Sequence, residues 1–184
     1  MNKHIESLIK TAVAEIEEPL QARGFIDGLK KLLSGAGEEL SGAVFELIGI
    51  RNKSAEKIAS YESITSFIRA NDFVVARNLI VFGLIGAAAF FSMRFCRPED
   101  MIFALYGATA FYIFMILLTP QKIKKYRLLK ACAIREYREN LISFSIVLVK
   151  KYSLDPAGFA IKLKGGHSFA ELVENNGVHY FKIN

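Results

Sequence analysis

Thiols are scarce in this chain: Cys96 and Cys132 are the only two cysteines among 184 residues. That excludes a disulfide framework and a Cys-x-x-Cys redox or zinc motif. The histidines number three, His4, His167 and His179, with no H-E-x-x-H pair among them. A Gly-Lys-Ser/Thr phosphate loop and a Gly-x-Ser-x-Gly nucleophile elbow are absent too. Cys96 stands beside Arg94 and Arg97, cations that favour a thiolate, but no base or orienting group accompanies it. "KGGHS", residues 164–168, is the best remaining site. Its glycines are able to present N–H groups to an anion, and they equally suit a plain turn into a Ser-capped helix, which is the favoured reading. No catalytic residue, cofactor or metal ligand emerges, so a non-enzymatic protein is expected.

Charge is also missing over two long stretches. No charged side chain occurs from Asn78 to Met93 or from Met101 to Gln121. The second run has 21 residues and, at ~1.5 Å per residue, is about 31 Å long as a helix, roughly one bilayer core. The first has 16 and reaches spanning length if Arg94 or Arg77 snorkels at its end. Neither run shows a polar stripe. This reading predicts a mainly α membrane protein built on a two-helix transmembrane hairpin. The spans run over about 77–95 and 101–120, with Pro98, Glu99 and Asp100 opening the second helix.

Gly83 and Ala87 in the first span, and Ala104 and Ala108 in the second, have the small-xxx-small spacing of helix contacts in lipid. Gly86 and Gly107 adjoin them and are candidates for contact between copies, hence a homo-oligomer. Nine Lys and Arg flank the outer ends of the hairpin against two in the connector. The positive-inside rule then makes both termini cytoplasmic in a multi-pass protein of the cell inner membrane.

Residues 1–76 read as amphipathic cytoplasmic helices. Ile5, Leu8, Ile9, Ala12, Val13 and Ile16 form one apolar stripe, Pro19 and Gly24 break it, and Phe25, Ile26, Leu29, Leu32 and Leu33 resume it. "SGAG" at 34–37 ends the second helix. Leu40, Val44 and Leu47 start a third, and a fourth follows "GIRN" at 49–52. This region holds nine basic and eleven acidic side chains, a net of −2. A self-packed bundle or a protein–protein surface suits that balance better than anionic lipid.

Residues 122–184 form a basic cytoplasmic tail, a long helix and then a small α+β unit. Lys122, Lys124, Lys125, Arg127 and Lys130 cluster after the second span. They are candidates for contact with lipid heads and, less favoured, with nucleic acid. "LISFSIVLV" at 141–149 suits helix or strand. "DPAG" is a turn, "FAIKLK" alternates like a strand, Ser168 and Glu171 form a capping box for a short helix ending near "NNG", and "VHYFKI" closes as a strand.

A helical region, the tight hairpin "NLIVFGLIGAAAFFSM" and "MIFALYGATAFYIFMILL", and a basic tail together resemble the small two-span effectors of prokaryotic antiviral systems. Those attached to retrons and cyclic-nucleotide pathways are examples. The resemblance implies a membrane-perturbing response to infection, restrained until triggered. It also implies a cytoplasmic protein or nucleoprotein partner, such as a reverse transcriptase with its nucleic acid. The alternatives are a scaffold or assembly subunit of a membrane complex, and an immunity or exclusion protein.

Overall fold

The computed structural model describes residues 2–21, 24–34, 37–93, 99–163 and 168–183. Side chains are described throughout these except at 2, 79, 82, 84–93, 99–108, 112, 115 and 116. Four helices follow one another: α1 (Asn2–Glu17), α2 (Phe25–Leu33), α3 (Glu38–Met93) and α4 (Glu99–Lys151). A 3-10 turn (Pro156–Gly158) and a hairpin of β1 (Leu172–Asn175) with β2 (Val178–Phe181) complete the order. The chain divides into two compact units. Met1–Ile58 with Ala131–Asn184 forms the first, and Ala59–Lys130 the second.

The first unit holds the core. The α1 stripe Ile5, Leu8, Ile9, Ala12, Val13 and Ile16 is buried, as the i, i+3, i+4 spacing requires. It meets Phe25, Leu29 and Leu32 of α2, Leu40, Val44 and Leu47 of α3, and Tyr137, Leu141, Ile142, Leu148 and Val149 of α4. Phe159, Ile161, Phe169, Leu172 and Phe181 of the tail close the same core. Pro19 ends α1 by lacking an N–H. Leu20 follows in the left-handed region (φ 61), and Gly24 (φ 78) turns the chain into α2.

α4 ends in a Schellman motif. Leu154 N–H donates to Val149 C=O at 3.0 Å and Ser153 N–H to Lys150 C=O at 3.3 Å. Ser153 holds the left-handed position (φ 50) that glycine usually fills. Asp155 then caps the 3-10 turn through a 2.9 Å bond from Ala157 N–H. β1 and β2 pair antiparallel with Val173 opposite Tyr180, across Asn176–Gly177. Both turn residues have positive φ, the type I′ requirement. Ile161 adds a single bridge to His179.

Two local expectations are corrected, and one open choice between helix and strand is decided. α3 runs unbroken through Gly49–Asn52, so "GIRN" separates no helices. "LISFSIVLV" is helical, with Leu141, Ile142, Ser145, Leu148 and Val149 buried at helical spacing. The Ser168–Glu171 capping box starts no helix; Leu172 opens a strand there.

In the second unit, α3 and α4 are antiparallel. Glu62 pairs with Lys130, Thr119 Oγ1 donates to Asp72 Oδ1 at 2.9 Å, and the rings of Tyr61 and Tyr126 lie 6.5 Å apart. Pro120 sits inside α4, so the carbonyl four residues earlier loses its helical donor.

Among the described residues no helix is long and apolar enough to cross a membrane. This overturns the transmembrane hairpin over 77–95 and 101–120, the membrane-protein fold class, and the multi-pass inner-membrane location with cytoplasmic termini. The uncharged runs are ends of two long helices. The described part of α3 ahead of them carries Arg69, Asp72 and Arg77. The fold is mainly helical, with one two-stranded sheet.

Candidate functional site

Two features stand out, one polar and buried, the other apolar and exposed. The polar one sits in the first unit, where α1 ends. Glu15 is fully buried. Its Oε1 accepts from Leu20 N–H at 2.9 Å, from Tyr137 O–H at 3.0 Å and from Arg51 Nε at 3.1 Å. Its Oε2 is buried without a hydrogen-bond partner among the described residues. Arg51 also lies over the Phe25 ring, 4.7 Å from its centroid. Burial, then the charge and hydrogen bond of Glu15, push the Tyr137 hydroxyl well above its ordinary pKa, with Arg51 opposing weakly.

Arg138 extends this network by donating from Nε to the Ile16 carbonyl at 3.0 Å. It thereby supplies a cation to the carbonyl end of α1, whose own last turn has none. Burial pulls its guanidinium below the usual pKa. Glu17 Oε1 accepts from Lys162 N–H at 2.7 Å and so ties in the tail. The cluster joins three helices and the tail. Its carboxylate faces protein donors, and its chemistry is that of a structural tie.

The exposed feature belongs to the second unit. Ile64, Phe67, Phe73, Val74, Ile80 and Val81 of α3 are more than one-third exposed, as are Phe111, Ile113, Phe114, Leu117 and Leu128 of α4. Phe67 and Phe73 reach 72% and 73%. On α3 the sites recur every seven residues, as Phe67, Val74, Val81 and as Phe73, Ile80. That is the repeat of helices that pack side by side.

The helix-packing candidates fare unevenly. Gly83 is exposed, and a Cβ there would meet nothing within 4 Å among the described residues. Gly86, Ala87, Ala104, Gly107 and Ala108 fall on helical stretches whose side chains lie outside the described residues. Lys122, Lys124, Lys125 and Arg127 are exposed, and Lys130 is half-buried against Glu62. At about 100° per residue these five encircle α4 instead of lining one side. Lys164, Gly165, Gly166 and His167 of "KGGHS", with Arg94, Cys96, Arg97 and Pro98 of the connector, lie outside the described residues.

Cys132 is a free, exposed thiol. His179 is buried, with Nε2 3.7 Å from Glu174 and Nδ1 without a hydrogen-bond partner among the described residues. Among the described residues no group of three His, Cys, Asp or Glu could hold a metal ion.

Sequence reasoning missed Glu15, Arg51 and Tyr137 as a set. The one signal was an acidic residue placed beside the apolar stripe of α1, between Val13 and Ile16. By class this is a two-unit helical protein with a buried ionic tie and an exposed apolar surface. No family model, curated protein or solved structure matches the chain.

Proposed function

We propose that this is a non-enzymatic assembly protein that associates with further copies of itself through the apolar surface of its second unit. The observation that carries this reading is the set of eleven large hydrophobic residues exposed on that unit. At 150–250 Å² per aromatic side chain, the four phenylalanines alone leave roughly 500 Å² of apolar surface in water. The seven aliphatic residues add to it. A typical monomer's largest apolar patch is about 300–600 Å², whereas a standard interface buries about 800 Å² on each partner. The seven-residue recurrence on α3 favours a second copy as the partner, because an identical stripe packs on itself in register.

The basic stretch 122–130 offers less support for nucleic acid. Its cations point around the helix, and one of them is engaged by Glu62.

The experiment is sedimentation velocity on the full chain and on a Phe67→Ser, Val74→Ser, Val81→Ser variant. The expected result is a defined oligomer that falls to a smaller mass in the variant, with helicity retained. A wild type that stays monomeric at tens of micromolar, the range of a ~−6 to −7 kcal/mol association, would overturn the proposal. A monomer that instead partitions onto phospholipid vesicles would also overturn it.

A further inference from the structure

A second surface, in the first unit, is open as well. A groove of about 510 Å³ runs between α3 and α4. Its floor is Ile50, Ala133, Phe144 and Leu148, and Gly49 and Val147 stand at its walls. Val147 is 62% exposed, and Phe45, one turn from Gly49, is 63% exposed. A Cβ at Gly49 would meet nothing within 4 Å, and the same holds at Gly42. Glycine inside a helix costs about 1 kcal/mol relative to alanine. Among the described residues no neighbour accounts for that cost at either position. What a bare helix surface gains is close approach of another backbone.

The charges on that surface identify the approaching helix. Glu46 and Lys53 line the groove, and among the described residues neither has an ion-pair partner within 4 Å. Lys57, by contrast, already pairs with Glu136 at 2.6 Å. Glu46 and Lys53 stand equidistant from the midpoint between Gly49 and Ile50, about 5 Å to either side along the axis. Reversing the helix about that midpoint sets each glutamate against the other copy's lysine. The arrangement is self-complementary under a two-fold axis.

We infer that this face is an isologous interface at which α3 of a second copy packs antiparallel across Gly49, with two reciprocal Glu46–Lys53 pairs. The contact uses a different surface from the 59–130 unit and does not rest on the association proposed there. A chain with both contacts has two distinct ways of binding its own kind, which produces assemblies larger than a dimer.

The test uses the full chain with Cys96→Ser and Cys132→Ser, in the Phe67→Ser, Val74→Ser, Val81→Ser background that removes the other contact. Gly49→Cys is expected to form a disulfide dimer under mild oxidation. Glu46→Cys is not, because its two copies lie beyond the ~7 Å Cα limit for a disulfide. Adding Glu46→Lys to Gly49→Cys should lower the dimer yield roughly tenfold, about 1.4 kcal/mol. The swap Glu46→Lys, Lys53→Glu should restore it. Circular dichroism checks that every variant is folded. Failure of folded Gly49→Cys to dimerise, equal crosslinking at 46 and 49, or no recovery in the swap would each overturn the inference. Sedimentation of the parent chain judges the 59–130 association separately.

Discussion

The hydroxyl of Tyr137 donates a hydrogen bond to the carboxylate of Glu15 at 3.0 Å, both side chains fully buried and 122 residues apart in sequence. The same oxygen takes Arg51 and the Leu20 N–H, so one atom secures the end of α1 to α3, to α4 and to its own following turn.

Removing one donor should cost less than removing the acceptor. Tyr137→Phe leaves Glu15 with two partners and is expected to lower the unfolding free energy by ~1–2 kcal/mol. Glu15→Ala strands Arg51 and Tyr137 together, and should cost about 3–5 kcal/mol. Urea unfolding followed by circular dichroism distinguishes the two. Equal losses would mean that the Tyr137 hydroxyl carries the tie and that Arg51 and the turn add little to it.

The raised Tyr137 pKa has a stability consequence at high pH. The folded protein keeps this proton where the unfolded chain, with an ordinary tyrosine pKa near 10, releases it. The contribution is therefore complete below about pH 10 and falls as pH rises beyond it, by ~1.4 kcal/mol per unit for one proton. Tyr137→Phe should lack this component, and the difference between the two proteins isolates it from the other titrating groups. Absorbance at alkaline pH supplies a second check, since one of the seven tyrosines should resist ionisation until the fold opens.

Left-handed backbone gives two opposite outcomes. Ser153→Gly places the preferred residue at the Schellman position and should raise stability by ~0.5–1 kcal/mol. Gly177→Ala puts a side chain at φ 76 and should cost ~1 kcal/mol or more. Thermal unfolding of both variants beside wild type reads the sign directly.

Pro120 is the weak point of α4 in the second unit. Pro120→Ala restores a backbone donor and should protect the amides around it against hydrogen exchange, with a gain of ~1–3 kcal/mol in local opening. Unchanged exchange rates there would show that the neighbouring Thr119–Asp72 bond already holds the helix closed.

Features written within a few residues were legible. The α1 stripe, the Pro19 stop, the Gly24 restart and the closing strand each depend on local spacing or on one residue's backbone preference. Glu15 was not legible, because the groups that make a buried carboxylate tolerable lie 36 and 122 residues away. "GIRN" looked like a stop because glycine and asparagine favour breaks. α3 continues there with Leu47 and Ile58 buried on either side of the tetrapeptide and Arg51 tied to α1. The capping-box pattern at 168–171 failed for a similar reason, since β1 takes its order from β2. Hydropathy suggested two membrane spans because two uncharged runs, 78–93 and 101–121, stand in the sequence; no described helix is long and apolar enough to cross a membrane. The exposed apolar side chains of α3 and α4 are the part of that signal that the described structure retains.

The pairing of Glu15 with Tyr137 also sets an order of events at the ribosome. α1 emerges well ahead of its partner on α4, since Tyr137 follows Glu15 by 122 residues. The 59–130 unit, contiguous in sequence, is complete before Tyr137 is made. At about 5–20 residues per second, α1 waits several seconds or more for Tyr137 and Arg138. Over that interval its apolar stripe has only α2 and the first turns of α3 for cover. Nascent chains are therefore vulnerable to holding factors and proteases at α1 until Tyr137 and Arg138 have emerged.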